Sequence, residues 1–198
     1  VPVGAFVAGQ GVVVAGAASH DGEPHVVCNR EDVPLRGDHN VLNVLAACAI
    51  TGMNRIHPDV MAATIRDFTP VAHRLEVVRV VNGVTYINDS IATAPERVVA
   101  ALHSFTEPVV LLAGGKDKKL PWDDMVRLAL SKARRIVAFG DAGELVVDVV
   151  RRISGSTDAV IRVTTLDEAV AQAAKMAQPG DVVLLSPGGT SYDAYKDF

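Results

Sequence analysis

From residue 84 onward, short apolar runs alternate with amphipathic helical patterns, and this alternation constrains the fold more than any other feature. Strands are predicted at Val84–Asn88, Val109–Ala113, Ile136–Phe139, Val160–Val163 and Val182–Ser186, with a helix between each successive pair. Two of these runs are solidly apolar, which is typical of strands covered on both faces. Strands that alternate with helices in this way predict an α/β fold with a mostly parallel sheet.

An asparagine–glycine pair precedes the alternation. Asn82-Gly83 joins two strand-like runs, Leu75–Val81 and Val84–Asn88. This dipeptide favours a type I′ hairpin turn, because both central residues of that turn need a positive φ. The sequence therefore predicts a Rossmann-like sheet with helices on both faces and one antiparallel edge strand from the hairpin.

Two helix starts carry the pattern of a capping box, in which a threonine and a glutamate three residues later bond to each other's backbone amides. Thr93 pairs with Glu96 before a helix predicted at Pro95–Ser104, and Thr165 pairs with Glu168 before one at Leu166–Ala177. We expect both threonines to cap their helices.

The first 72 residues show a different sequence pattern. Glycines separate short runs typical of antiparallel strands, at Ala5–Ala8, Val12–Ala15 and His25–Cys28. A helix is predicted from His39 to Thr51, capped by Asp38 and closed by Gly52, and a second from Pro58 to Phe68. Residues 1–72 are too few and too irregular for a complete domain. We therefore expect a truncated α/β domain followed by a second domain over residues 73–198, within a longer protein.

Composition excludes several classes of function. The net charge of −4 argues against a nucleic-acid-binding protein, which usually carries a basic face. No uncharged apolar run approaches the roughly 18 residues that cross a membrane. Cys28 and Cys48 show no paired motif, which favours a reducing, cytoplasmic location. The histidines at positions 20, 25, 57 and 103 lack the spacing of metal ligands, so no metal site is expected in this chain.

Three polar segments follow predicted strands: Asn88-Asp89-Ser90, Gly114 to Lys118, and Ser186 to Ser191. Because ligands bind at the carboxyl ends of strands in open parallel sheets, we expect these segments to converge on one edge. Glycines, hydroxyls and lysines suit a carboxylate or a phosphate. Each segment taken alone is also explained by a turn or a cap.

Two further pairs of residues are candidates for ligand contacts. Arg74, next to His73 at the predicted domain boundary, is either a phosphate clamp or part of a solvated surface pair. Asn40 and Asn43 share a helix face, and their amides either bind an adenine-like edge or bond only to the backbone. Neither a G-x-x-x-x-G-K-[ST] loop nor a G-x-G-x-x-G motif occurs.

Taken together, these motifs resemble the Mur ligase family, and most closely its members that add D-glutamate. The matching segments, in order, are Gly37-Asp38-His39-Asn40-x-x-Asn43, His73-Arg74-x-Glu76, Asn88-Asp89-Ser90-x-Ala92-Thr93, Gly114-Gly115-x-Asp117-Lys118 and Leu185-Ser186-Pro187-x-x-x-Ser191-x-Asp193-x-x-x-x-Phe198. The chain departs from the family at Ile91, where lysine is common. Alternatives are another Mur-type or folylpolyglutamate-type ligase, or a non-catalytic nucleotide- or anion-binding module.

The resemblance implies an ATP-dependent ligase that joins D-glutamate to UDP-N-acetylmuramoyl-L-alanine through an acyl phosphate. It implies a cytoplasmic enzyme of peptidoglycan synthesis, monomeric, with Mg²⁺ ligands mainly outside this chain, and an inactive fragment. In this interpretation His73, Arg74, Asp89 and Lys118 are catalytic. The ATP contacts are Asn40, Asn43, Arg74 and Asp89, and the D-glutamate contacts are Ser90, Thr93, Lys118, Ser191, Tyr192 and Phe198.

Overall fold

The computed structural model describes residues 3–191, and the chain divides into two compact units, Val1–Pro70 and Val71–Phe198. Each unit has its own apolar core. Among the described residues, no helix is both long enough and apolar enough to span a bilayer.

The first unit is a three-stranded antiparallel sheet with two helices. Its strands are β1 (Gly4–Ala8), β2 (Gly11–Ala15) and β3 (His25–Asn29), in that order across the sheet, and its helices are α1 (Asp38–Met53) and α2 (Pro58–Arg66). The predicted antiparallel strands are confirmed. Both cysteines are buried in its core. Burial raises the pKa of the Cys48 thiol to about 11, so this thiol is neutral at physiological pH.

Helix α1 differs from the prediction at both ends. Its N-cap is Gly37, and Asp38 is the first helical residue rather than a capping side chain. The helix also continues through Gly52, which was expected to end it. A Cβ atom at Gly52 would collide with the carbonyl oxygen of Ala18. Gly52 is therefore needed for a close approach between two backbones, which a sequence pattern does not distinguish from a C-terminal stop.

The second unit contains a six-stranded sheet. Its elements are β4 (Glu76–Val81), β5 (Val84–Asn88), α3 (Pro95–His103), β6 (Val109–Gly114), α4 (Asp123–Lys132), β7 (Ala133–Phe139), α5 (Gly143–Ser154), β8 (Val160–Arg162), α6 (Leu166–Met176) and β9 (Val182–Gly188). The order across the sheet is β4-β5-β9-β6-β7-β8, and only β4 runs antiparallel to its neighbour. The predicted mostly parallel sheet with one antiparallel edge strand is confirmed. At the hairpin turn, Asn82 and Gly83 have φ values of 51° and 77°, as a type I′ turn requires.

Helices cover both faces of this sheet, as predicted. Buried side chains of α3, α4 and α5 pack on one face, and Ala169 and Ala173 of α6 pack with Val110 and Leu112 on the other. Strands β5, β6, β7 and β8 follow one another across the sheet in chain order. Helix α6 then returns the chain, so that β9 lies between β5 and β6. The strand order reverses there, and ligands of open α/β sheets bind at such a point.

The two predicted capping boxes have different outcomes. At α6 the box is confirmed, because Thr165 Oγ1 accepts a hydrogen bond from Glu168 N at 3.2 Å and the Glu168 carboxylate accepts one from Thr165 N. At α3 the prediction is wrong, since the N-cap is Ala94 and no side chain caps it. Pro95 occupies the first helical position, which its fixed φ favours, and this leaves Thr93 one residue too early to cap.

Candidate functional site at the carboxyl edge of the sheet

The three polar segments converge as predicted, because strands β5, β9 and β6 are neighbours. Asp89 N donates to Leu185 O at 2.8 Å, and Gly188 N donates to Ala92 O at 2.8 Å. Lys116 and Thr190 exchange two backbone hydrogen bonds of 2.7 and 3.0 Å. These bonds join the ends of the three strands into one surface. They also occupy backbone N–H groups that the sequence suggested for binding an anion.

Glycines in these segments allow the backbones to approach each other. A Cβ atom at Gly115 would collide with Thr190 O, and one at Gly189 would lie 2.5 Å from Gly114 O. Gly115 also has a φ of 82°, in the left-handed region that favours glycine. The paired glycines therefore serve first to pack the loop after β6 against the loop after β9.

Asp89 is buried between the ends of β5 and β9, with 4% of its surface exposed. Its Oδ2 accepts a hydrogen bond from Ser186 Oγ at 2.8 Å, and its Oδ1 accepts one from Leu75 N at 3.1 Å. Burial raises the pKa of Asp89, and this effect outweighs the two hydrogen bonds and the positive charges of Arg74 and Arg97. A buried acid with a perturbed pKa at a sheet edge is a candidate functional group.

The segment around His73 lies against the loop after β5. Asn88 Nδ2 donates to His73 Nδ1 at 2.9 Å, and His73 O accepts from Ile91 N at 3.2 Å. His73 N donates to Glu76 Oε2 at 2.8 Å, and the His73 backbone is left-handed with a φ of 65°. Arg74 is exposed. The structure thus brings His73, Arg74 and Asp89 to one place, and the catalytic roles that the resemblance implies for them stay a prediction.

Lys118 and Thr93 also meet at this edge. Lys118 Nζ donates to Thr93 Oγ1 at 3.0 Å, although 25 residues separate them in sequence. The neighbouring Asp117 accepts a hydrogen bond at 3.0 Å from Nε1 of the buried Trp122, which anchors the loop that carries Lys118. Because Thr93 is not needed as a cap, its hydroxyl is available for this contact.

A cavity of about 650 Å³ opens at the same edge, within the range typical of small-ligand sites. Ser90 and Ser191, both predicted ligand contacts, line it together with Gly115, Thr190 and residues that follow β7 and β8. Tyr192 and Phe198, also predicted as D-glutamate contacts, lie outside the described residues.

Two residues at this edge were not predicted as site residues. Ser186 lies in β9 and donates to Asp89, and a hydroxyl directly after the apolar run of residues 182–185 is a signal that could have found it. Arg162 lines the cavity and its Nη2 donates to Gly140 O at 2.9 Å. A Cβ atom at Gly143 would lie 2.5 Å from Arg162 Nε, so glycine leaves room for the Arg162 side chain in this position. No sequence signal separates Arg162 from an ordinary exposed strand arginine.

Asn40 and Asn43 belong to the first unit, on α1. Asn40 is buried, its Nδ2 donates to Arg36 O at 2.7 Å, and its Oδ1 accepts from Asn43 Nδ2 at 3.2 Å. The Asn40 amide thus has partners within its own unit, whereas Asn43 is exposed. Their predicted contact with adenine stays a prediction.

Comparison with known proteins agrees with this geometry. Residues 73–189 match the family model described as Mur ligase, glutamate ligase domain. The UDP-N-acetylmuramoylalanine–D-glutamate ligase of Roseiflexus sp. (strain RS-1) is 41% identical over 179 residues, which cover 90% of this chain and 38% of the relative. The enzyme of the same name from Pelotomaculum thermopropionicum is 40% identical over 192 residues, 96% of this chain and 42% of the relative. The chain thus spans well under half the length of these relatives.

Solved structures show the same fold at low sequence identity. The folylpolyglutamate synthase of Mycobacterium tuberculosis complexed with ADP has a TM-score of 0.69 and 19% identity, and the match covers 96% of this chain and 45% of that one. The UDP-N-acetylmuramate–alanine ligase of Thermotoga maritima has a TM-score of 0.63 and 18% identity, and the match covers 80% and 36% of the two chains. The chain belongs to the Mur ligase family, because the family model matches more than half of the chain's residues.

Proposed function

We propose that the chain is part of an ATP-dependent ligase that joins D-glutamate to UDP-N-acetylmuramoyl-L-alanine. A carboxylate oxygen of the nucleotide-linked substrate attacks the γ-phosphorus of ATP, and ADP leaves. The amine nitrogen of D-glutamate then attacks the acyl carbon, phosphate leaves through a tetrahedral intermediate, and the nitrogen loses a proton. The two relatives that carry this name, at 41% and 40% identity, support the choice of substrates.

The observation that carries the proposal is the contact between Lys118 and Thr93. An ammonium group and a hydroxyl that stand 3.0 Å apart offer several donors to a carboxylate. Ser90 and Ser191 add hydroxyl groups in the cavity at the same sheet edge. We assign the D-glutamate carboxylates to these four residues, with Tyr192 and Phe198 completing the set.

We assign the phosphates of ATP to Arg74, whose planar guanidinium binds oxyanions through two parallel bonds. Asp89 bonds to the backbone of the next residue, Leu75, and so fixes the segment that carries Arg74. His73 lies beside them, held by Asn88. Asn43 is the exposed amide for adenine, and Asn40 orients it through their mutual hydrogen bond.

Mg²⁺ would shield the phosphate charges during the transfer. The buried Asp89 carboxylate does not fit this ion, because both of its oxygens already accept hydrogen bonds within the fold. The ligands of the ion are therefore assigned to parts of the ligase outside this chain, and the 198 residues alone are expected not to turn over.

We further propose a cytoplasmic, monomeric enzyme, in keeping with two buried cysteines that form no disulfide.

The test compares two lysine variants of the full-length ligase. Lys118→Met removes the charge proposed for D-glutamate, and Lys175→Met removes an exposed charge on α6 as the matched control. Loss of a charged hydrogen bond costs about 1.5–3 kcal/mol, so the KM for D-glutamate should rise by about tenfold to a hundredfold in Lys118→Met. The control should keep its KM.

Phosphate release that depends on ATP, UDP-N-acetylmuramoyl-L-alanine and D-glutamate is the readout. An unchanged KM in Lys118→Met would contradict the role of the lysine. Release of phosphate with L-glutamate and a folate, but not with D-glutamate, would overturn the reaction itself in favour of a folylpolyglutamate-type ligase. Turnover by the 198-residue chain alone would overturn the expectation that it is incomplete.

A further inference from the structure

A second cluster of chemically active side chains lies in the first unit and contains none of the residues assigned above. His20 and Asp21 lie on the segment between β2 and β3, and His25 is the first residue of β3. Each of the three offers a ligand atom within 4.8 Å of the others. His25 Nε2 lies 2.9 Å from both carboxylate oxygens of Asp21, and His20 Nε2 lies 3.7 Å from Asp21 Oδ2. The sequence spacing of the histidines gave no reason to expect this grouping.

The fold holds these three residues in place. Gly16 N donates to Gly22 O at 3.0 Å and closes the loop that carries His20 and Asp21. Ser19 Oγ and Glu23 N donate to Asp21 Oδ1 at 2.9 and 3.0 Å, which fixes the carboxylate. His25 lies on β3. Because the three side chains are already held in place, binding a ligand costs little conformational entropy.

One ring nitrogen of the cluster has no hydrogen-bond partner among the described residues, and it is not the His20 nitrogen that faces Asp21. Within residues 3–191, His20 Nδ1 is a buried nitrogen without a hydrogen-bond partner. The His20 ring packs against those of His25 and His57, with centroid distances of 5.0 and 4.6 Å. The hydrogen bond from His25 holds the pKa of Asp21 well below its usual range, so the carboxylate is ionised at neutral pH.

We propose that His20, Asp21 and His25 form a binding site for a divalent transition-metal cation of the zinc type. Two imidazoles and one carboxylate are the donor set that Zn²⁺ and its first-row neighbours prefer, whereas Mg²⁺ prefers oxygen alone. The cation takes the place of the proton shared by His25 and Asp21. An adjoining cavity of about 320 Å³, lined by Ser19, His20 and Asp21, leaves room for water on the open coordination positions.

The charge of Arg55, which lines the same cavity, opposes the cation. With three protein ligands and a neighbouring positive charge, the site is expected to bind more weakly than a closed four-ligand structural site. Because protons compete with the cation for the ligand atoms, affinity should fall as the pH is lowered.

The test titrates the metal-free chain with Co²⁺ and Zn²⁺ at pH 7.5, using visible absorption for cobalt and calorimetry for zinc. We expect one ion per chain and a cobalt spectrum without a thiolate charge-transfer band, since Cys28 and Cys48 are not ligands in this proposal. His25→Gln keeps a donor near Asp21 and should weaken binding by about tenfold or more, as should Asp21→Asn. His103→Gln, on α3 of the other unit, is the matched control and should bind like the wild type.

Three results would overturn the proposal: no saturable binding, equal affinity in His25→Gln and the wild type, or a thiolate band in the cobalt spectrum. Magnesium that binds at this site as tightly as zinc would overturn the assignment to a transition metal. Circular dichroism of each metal-free variant establishes that it is folded before titration. None of these outcomes depends on the ligase reaction, so the site and the proposed function succeed or fail separately.

Discussion

Two aspartates are buried at opposite ends of the same sheet, and their surroundings differ. Asp181 directly precedes β9 and is 2% exposed, and Asp89 directly follows β5 and is 4% exposed. Asp181 forms an ion pair with Arg134, whose Nε lies 3.0 Å from Asp181 Oδ2. It accepts hydrogen bonds from Arg134 Nη2 at 3.2 Å and from Gln178 N at 2.9 Å. Asp89 accepts from one hydroxyl and one amide, and among the described residues no lysine or arginine nitrogen lies within 4.0 Å of it.

The difference separates a structural edge from the candidate functional edge. At the amino edge an arginine neutralises the buried carboxylate, which removes most of the cost of burying a charge. At the carboxyl edge the described residues form no ion pair with Asp89, since Arg74 and Arg97 act on it only at longer range, and burial raises its pKa. An acid without a contacting counterion thus stands where ligands of open α/β sheets bind, and Asp89 and Arg74 lie together at this edge.

The largest effect is expected at the structural edge. Asp181→Ala leaves Arg134 and the Gln178 amide without their partner, and it should lower the free energy of unfolding by about 3 kcal/mol. Arg134 is 39% exposed and recovers some hydration, which keeps the loss at the low end for a buried pair. Urea unfolding measures the change. Asp148→Ala breaks an exposed pair with Arg151 and, as the control, should cost less than about 0.5 kcal/mol. Equal losses of unfolding free energy in the two variants would contradict the structural role of the buried Asp181.

A smaller change in the free energy of unfolding, with a distinct pH dependence, is expected for Asp89→Asn. The new amide can accept from Leu75 N and donate to Ser186 Oγ, so stability at pH 7 should stay within about 1 kcal/mol of the wild type. In the wild type the raised pKa means that the folded state keeps a proton that the unfolded state has lost. The contribution of Asp89 to wild-type stability therefore falls as pH rises from the ordinary value of 3.8 through the raised pKa.

Asp89→Asn should abolish that fall, which urea unfolding at several pH values will show. Asp158→Asn changes an exposed aspartate and should keep the wild-type profile, as the matched control. A wild-type profile in Asp89→Asn would mean that this carboxyl does not titrate with folding, and the contrast with Asp181 would then lose its electrostatic basis.

The smallest effects are expected at the two threonines that share one sequence pattern. Thr165→Ala removes a true cap and should cost about 1 kcal/mol. Thr93→Ala removes only a contact with the exposed Lys118, and should cost less than about 0.5 kcal/mol. In the full-length ligase, Thr93→Ala should raise the KM for D-glutamate, whereas Thr165→Ala should not. The reverse order of stability losses would show that Thr93 serves the helix after all.

Local patterns predicted much of the fold and part of the candidate site. The type I′ turn at Asn82-Gly83, the cap at Thr165 and the alternation of strands and helices all depend on residues close in sequence. The convergence of three polar segments was also predictable, because parallel strands end at one edge. The predictions failed at Gly52 and Thr93. At Gly52 the approach of a distant backbone overrides the local signal, and at Thr93 the adjacent Pro95 sets the start of the helix.

The sequence by itself determined which segments become strands and helices, because backbone propensity and hydrophobic periodicity act over a few residues. Only the tertiary structure decided that β9 lies between β5 and β6, and so which loops meet. It also decided that Asp181 forms an ion pair with Arg134, whereas Asp89 accepts a hydrogen bond from Ser186. In the first unit it brought His20 and His25 together around Asp21. These pairings join distant parts of the chain through burial and charge, and the distance in space between two side chains cannot be read from their separation in sequence.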